Sequence, residues 1–115
     1  MKPLMLDSIA DDLHTTAVAK GFWDPIARMA EEDKFVFFAK QLMMIDSEVT
    51  ETLEALRKNK GQDQVVEELA DIIVRVLDLY AGLVEHGVVQ DSLHETFSRK
   101  TEFNKTRPRL HGVAG

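Results

Sequence analysis

Residues 64–85 read QVVEELADIIVRVLDLYAGLVE, and this stretch decides the fold. Val65, Val66, Leu69, Ala70, Ile72, Ile73, Val76, Leu77, Leu79, Tyr80, Leu83 and Val84 recur at helical spacing and cover most of the circumference of one helix. A helix that is apolar nearly all round must be buried on nearly all sides. A chain of 115 residues has little to bury it with, so a second subunit is expected to cover part of it. The exceptions to the apolar pattern form a line of their own. Glu68, Asp71, Arg75 and Asp78 fall at i, i+3, i+7 and i+10, a single polar stripe.

The segments on either side are also helical. A first helix is expected from Asp7 or Ser8, either of which can cap it, to about Lys20, with Gly21 as its stop. Phe22-Trp23-Asp24-Pro25 follows as an aromatic connection, with Asp24 able to cap and Pro25 able to open a short helix. A long helix is expected from about Asp33 to Lys58, broken at Asn59-Lys60-Gly61. The helix of residues 64–85 stops at His86-Gly87. A fourth helix begins near Asp91-Ser92, where Ser92 and Glu95 form a capping box, and it cannot continue through Pro108. Alternating strand patterns and internal repeats are absent from the sequence. The expected fold is all-α: one domain over residues 1–115, a four- to five-helix bundle completed by dimerisation.

Composition narrows the function. Apolar residues make up 44% of the chain and charged residues 30%, which fits a core with a well-solvated surface. The net charge of −6 argues against a general nucleic-acid or anionic-membrane binder, because phosphate attraction needs a basic face. The chain has no cysteine, which removes disulfides, thiolate zinc sites and cysteine nucleophiles. The N-terminal MKPLMLDSIADDLH has no long apolar run after its lysine, and no stretch reaches the roughly 18 apolar residues of a membrane span. A cytoplasmic protein is expected. The charge is uneven. Residues 99–109 hold five basic residues and one acid, leaving nine bases against 19 acids in the first 98. An acidic body with a basic tail, about 99–115, suits a metal plus a phosphorylated ligand, and equally suits a solvated tail.

The carboxylate spacing points to the metal. Gln41, Met44, Glu48 and Glu51 follow the same i, i+3, i+7, i+10 pattern as the stripe on the next helix. Residues three apart on a helix have Cβ atoms about 5–6 Å from each other. Glu48 with Glu51, and Glu68 with Asp71, can therefore each aim two carboxylates at one point. If the two helices pack antiparallel through the 59–63 turn, the pairs face one another. Four converging carboxylates repel without a counter-charge. Oxygen-only ligation suits Mg²⁺, with Mn²⁺ as the other choice, whereas a di-iron site would want a Glu-x-x-His pair that neither pair offers. The plain alternative is that these are surface acids in ion pairs with Arg57, Lys58 or Arg75.

The pattern resembles that of the MazG-like all-α nucleoside triphosphate pyrophosphohydrolases. The resemblance lies in Glu48-Val-Thr-Glu51 and Glu68-Leu-Ala-Asp71, in the surrounding Glu51–Arg57 and Glu67–Ile73 segments, in Gly21-Phe-Trp-Asp24, and in Asn104-Lys-Thr-Arg-Pro108 followed by His111-Gly112. It covers roughly residues 20–112. Many members carry two adjacent acids where this chain has Ser47-Glu48, although Asp46 is close by, and the chain stops soon after His111-Gly112. The resemblance implies that Glu48, Glu51, Glu68 and Asp71 bind Mg²⁺ and form the catalytic centre of a nucleotide-pool housekeeping enzyme. Such an enzyme converts a nucleoside triphosphate to the monophosphate and pyrophosphate, as a homodimer or homotetramer. One of the four acids, or Asp78, would be the general base. Lys100, Asn104, Lys105 and Arg107 would offer donors to the phosphates; Lys100 and Asn104, at i and i+4, share a face. Trp23 could stack a nucleobase or plug the end of the bundle. His14 could approach the base or sugar, or be a structural histidine. Met43, Met44 and Phe35, Phe37 and Phe38 read as core filler. Two rival functions stay open: a related pyrophosphohydrolase acting on phosphoribosyl-ATP or dUTP, and a non-catalytic helical interaction module.

Overall fold

The computed structural model describes residues 4–112; residues 113–115, the end of the expected basic tail, lie outside the described residues. The described residues are mostly helical, without strands. There are four α-helices, α1 (Met5–Ala19), α2 (Lys34–Arg57), α3 (Gln62–Glu85) and α4 (Leu93–Thr106); two 3₁₀ turns, Asp24–Arg28 and Glu31–Asp33, connect α1 to α2, and a last turn covers Arg109–Gly112.

The predicted stops are real, and three of them share one geometry. After α1 the amide of Phe22 donates to the Ala17 carbonyl and that of Gly21 to Val18. After α2 the same pair of bonds runs from Lys60 to Ala55 and from Asn59 to Leu56. After α3 it runs from Val88 to Leu83 and from Gly87 to Val84. Each is a Schellman motif, which needs a left-handed residue just past the helix. Gly21, Asn59 and Gly87 supply it, at φ 87°, 50° and 74°.

The starts follow different chemistry. Neither Asp7 nor Ser8 caps α1, which begins earlier, with Leu4 at its N-cap and no side-chain bond there. Asp7 instead reaches across to α4, accepting from Ser92 Oγ at 2.6 Å and from the His94 amide at 3.0 Å. In return His94 Nδ1 accepts from the Leu6 amide at 3.2 Å. Two helix N-termini thus satisfy each other's free amide groups, and Ser92 accepts from the Glu95 amide as the capping box requires.

α1 and α2 both pack on α3, and α4 packs on α1 near its own N-terminus. The main core joins Trp23, Ile26, Phe37, Phe38 and Leu79; a smaller one joins Ala10, Leu77 and Ala81. Gly82 lies inside α3, where glycine is otherwise costly. A Cβ there would stand 2.1 Å from Trp23 Cη2, so the bare backbone is the seat of the tryptophan ring. Phe35 and Met43, expected in the core, are exposed at 76% and 70%. Nor does the single chain bury α3 on all sides: Val66, Leu69, Ile73 and Val76 remain exposed, as do Leu42, Val49, Leu53 and Leu56 on α2.

Candidate functional site

The antiparallel α2–α3 hairpin brings carboxylates from both helices together. Glu48, Glu68 and Asp71 each offer an oxygen within 4.8 Å of the others. Glu51, the fourth expected member, is exposed and stands outside this group. It is still close enough to be felt. Burial, then the charge of Glu51, then the hydrogen bond and charge of Glu48 and the charge of Asp71 all push the Glu68 carboxyl above its usual range. Glu68 Oε2 is buried without a hydrogen-bond partner. A buried orphan oxygen among three acids fits a divalent cation with oxygen ligands. Glu48 also accepts from Arg75 Nε at 3.0 Å, so one of the expected ion pairs does form at the cluster, while Arg57 and Lys58 both pair with Glu54 instead.

Beside this cluster runs a slot of about 540 Å³ between α1, α2 and α3. Glu48, Asp71 and Arg75 line it at the acidic end, and Gln41 and Met44 continue along α2, as their spacing with Glu48 predicts. Leu13, Ala17, Phe22, Pro25 and Phe37 give it apolar walls. Lys20 and Lys40 also line it, and among the described residues neither is in an ion pair. Neither was singled out from sequence. Lys40 could have been, because it sits one turn before Met44 and two before Glu48 on the same helical face.

Trp23 and His14 sit deeper than the expectation of a ligand-facing pair required. Trp23 is 5% exposed, with His14 edge-on at 4.7 Å, Phe37 at 5.2 Å and His86 stacked at 6.3 Å. Its ring has no free face for a nucleobase and plugs the bundle, whereas Phe22, 69% exposed, lines the slot. Trp23 Nε1 donates to Asp78 at 3.0 and 3.1 Å to its two oxygens. His14 is buried between two acids, with Nδ1 2.8 Å from Asp78 and Nε2 hydrogen-bonded to Glu85. Desolvation lowers its pKa, but the hydrogen bonds and charges of Glu85 and Asp78 outweigh it and hold the imidazole above its usual value. Asp78 is therefore engaged at the aromatic end, two turns of α3 from Asp71.

Lys100, Asn104, Lys105 and Arg107 are all exposed and do not line the slot of their own chain. Lys105 pairs with Glu102, and Arg107 lies 5.8 Å over the Phe103 ring. These residues lie on the later turns of α4, whereas the contacts that hold it to the body are near its N-terminus, where it meets α1 and where Tyr80 Oη accepts from the Leu93 amide. Among the described residues no helix is long and apolar enough to cross a membrane. Compared with protein-family models, curated proteins and solved structures, the chain matches none.

Proposed function

We propose that this chain is a Mg²⁺-dependent nucleoside triphosphate pyrophosphohydrolase of the MazG-like all-α kind, active as a homodimer or homotetramer. The observation that carries the reading is the junction of a three-carboxylate cluster, with its orphan buried oxygen, and a slot that turns from acidic to aromatic along its length. Glu48, Glu68 and Asp71 would hold the cation, with Glu51 one turn away. When bound, Mg²⁺ neutralises phosphate charge and makes a ligated water more nucleophilic. The side chains do the rest. Arg75 beside Glu48 supplies donors at the acidic end, Lys20 and Lys40 make the walls attractive to a polyanion, and the exposed Phe22 and Pro25 offer apolar surface to a base. Water attack breaks the α–β anhydride bond, giving a nucleoside monophosphate and pyrophosphate.

The exposed stripe of Val66, Leu69, Ile73 and Val76, continued on α2, is the surface a second copy would cover. In that assembly the basic face of α4 would serve the ligand of a neighbouring copy. The same stripe favours one other reading, a helical interaction module without catalysis.

The test is a panel of common and modified (d)NTPs with Mg²⁺, with pyrophosphate and orthophosphate both quantified. Pyrophosphate with a monophosphate is the expected product pair. Glu68→Gln and Asp71→Asn should abolish it with helix content unchanged. Turnover at the wild-type rate in either variant would sink the metal-centre assignment. No hydrolysis across the panel, together with no saturable Mg²⁺ or Mn²⁺ stabilisation, would favour the interaction module. Stabilisation without hydrolysis would favour the narrower substrates, phosphoribosyl-ATP among them.

A further inference from the structure

The far end of the slot holds Asp78, expected as a possible general base, which its bonds to His14 and Trp23 and its distance from the carboxylate cluster take out of that role. Asp78 lies seven residues beyond Asp71 on α3, about 10 Å along the axis at 1.5 Å per residue. It lines the slot among Leu13, Ala17 and Phe37, with its side chain only 18% exposed. A carboxylate in such surroundings is costly unless its lone pairs are occupied. Two buried donors occupy part of them: His14 Nδ1 at 2.8 Å on Oδ1, and Trp23 Nε1 shared between Oδ1 and Oδ2. A carboxylate has about four lone-pair sites, so Oδ2, with only half of a shared bond, keeps capacity to accept. Trp23 and His14 are themselves 5% and 8% exposed, and Gly82 leaves no slack under the tryptophan ring. Asp78 is thus a fixed, acceptor-only group at the aromatic end of a ligand slot.

We infer that Asp78 is a specificity residue, accepting a hydrogen bond from an exocyclic amine at the far end of the bound ligand. Resting on the nucleotide reading above, this makes amino-bearing bases of the cytosine and adenine type the favoured substrates. Their carbonyl counterparts, uracil and hypoxanthine, are disfavoured. A carbonyl oxygen in the amine's place meets Asp78 acceptor to acceptor, and both groups lose water without gaining a bond. A site that pairs a polar substituent rejects the analogue lacking it far more strongly than an apolar pocket rejects a change of size. The rejection comes from the repulsive contact as much as from the bond gained.

The experiment compares two matched pairs on the full chain with Mg²⁺, dCTP against dUTP and dATP against dITP, by kcat/KM. Wild type should favour the amino member at least tenfold in each pair. Asp78→Asn, whose amide can also donate, should bring both ratios close to one while hydrolysis continues. A wild-type ratio near one, or reversed, overturns the inference and leaves the pyrophosphohydrolase reading standing. Unchanged ratios in a folded Asp78→Asn also overturn it. Should that variant lose its fold with the Trp23 anchor, the wild-type ratios still decide. If none of the four is hydrolysed, the pyrophosphohydrolase reading fails separately. Titration calorimetry with the same nucleotides then supplies the ranking, and equal or absent binding overturns the inference.

Discussion

Gly82→Ala should destabilise this protein, although the same change in an ordinary helix interior is stabilising. Replacing glycine by alanine inside a helix gains about 1 kcal/mol of intrinsic propensity. At Gly82 the new Cβ would lie 2.1 Å from Trp23 Cη2 and 2.6 Å from Cζ2 and Cζ3. Carbon atoms prefer about 3.5–4 Å, so the ring must retreat by roughly 1.5 Å. His14, Phe37 and Phe38 surround it, and the retreat pulls Nε1 off Asp78. Overpacking a core costs about 1–3 kcal/mol, and a hydrogen bond to a charged group is worth about 1.5–3. After the propensity gain, the net loss is about 1.5–5 kcal/mol, which lowers Tm by roughly 6–20 °C in a domain of this size. Urea unfolding followed by circular dichroism measures the loss, and the single tryptophan reports its own displacement by fluorescence. A double-mutant cycle isolates the cause. On a Trp23→Phe background the clashing ring atoms are gone, and Gly82→Ala should become neutral or stabilising. A Gly82→Ala protein as stable as wild type, or a cycle additive within about 0.5 kcal/mol, would refute the contact as the reason for this glycine.

Other outcomes follow from the same geometry. Glu68→Gln removes a carboxyl whose neighbours disfavour its charge, so the metal-free variant should melt at a higher temperature than wild type at neutral pH, while the stabilisation by Mn²⁺ disappears; scanning calorimetry with and without Mn²⁺ checks both. His14 has a folded pKa above its unfolded value of about 6.5, so its contribution is complete below that pH and is lost as pH rises through the folded value. The urea midpoint of wild type should therefore fall above about pH 6.5, and His14→Gln should flatten that fall; an unchanged slope would remove His14 as its source. Asp7→Ala deletes the acceptor for Ser92 and for the His94 amide and should cost about 1–2 kcal/mol, the loss of a helix cap, with hydrogen exchange accelerated at the start of α4. Ile73→Asp, on the exposed stripe, should shift the sedimenting species towards monomer without loss of helix, and an unchanged species would rule out this face as the subunit contact.

Much of the fold was legible because its signals are local. A left-handed residue after a helix is needed wherever a Schellman motif closes, so Gly21, Asn59 and Gly87 mark their stops without reference to the rest of the chain. The capping box at Ser92 is equally local. The Asp7 cap was misplaced because a first-turn carboxylate serves any amide within reach, and the nearer one in space belonged to α4. Phe35 reads like Phe37 and Phe38 in composition, yet only the last two face α3.

The carboxylate site divides in the same way. Sequence alone set Glu48 with Glu51 on one helix and Glu68 with Asp71 on the next, at spacings that let the two pairs face one another if the short turn between them makes the helices antiparallel. It also determined that Gln41 and Met44 share the face of Glu48. Only the tertiary structure decided that three acids converge while Glu51 stays in solvent, because a side chain's reach across a helix pair depends on crossing geometry and not on spacing. Only the tertiary structure turned Trp23 inward onto Gly82, bound it to Asp78, and set Lys20 and Lys40, rather than the lysines of α4, along the slot. The contacts of Trp23 join residues more than 50 positions apart, and no periodicity within one helix carries information about which distant helix will fill the space beside it.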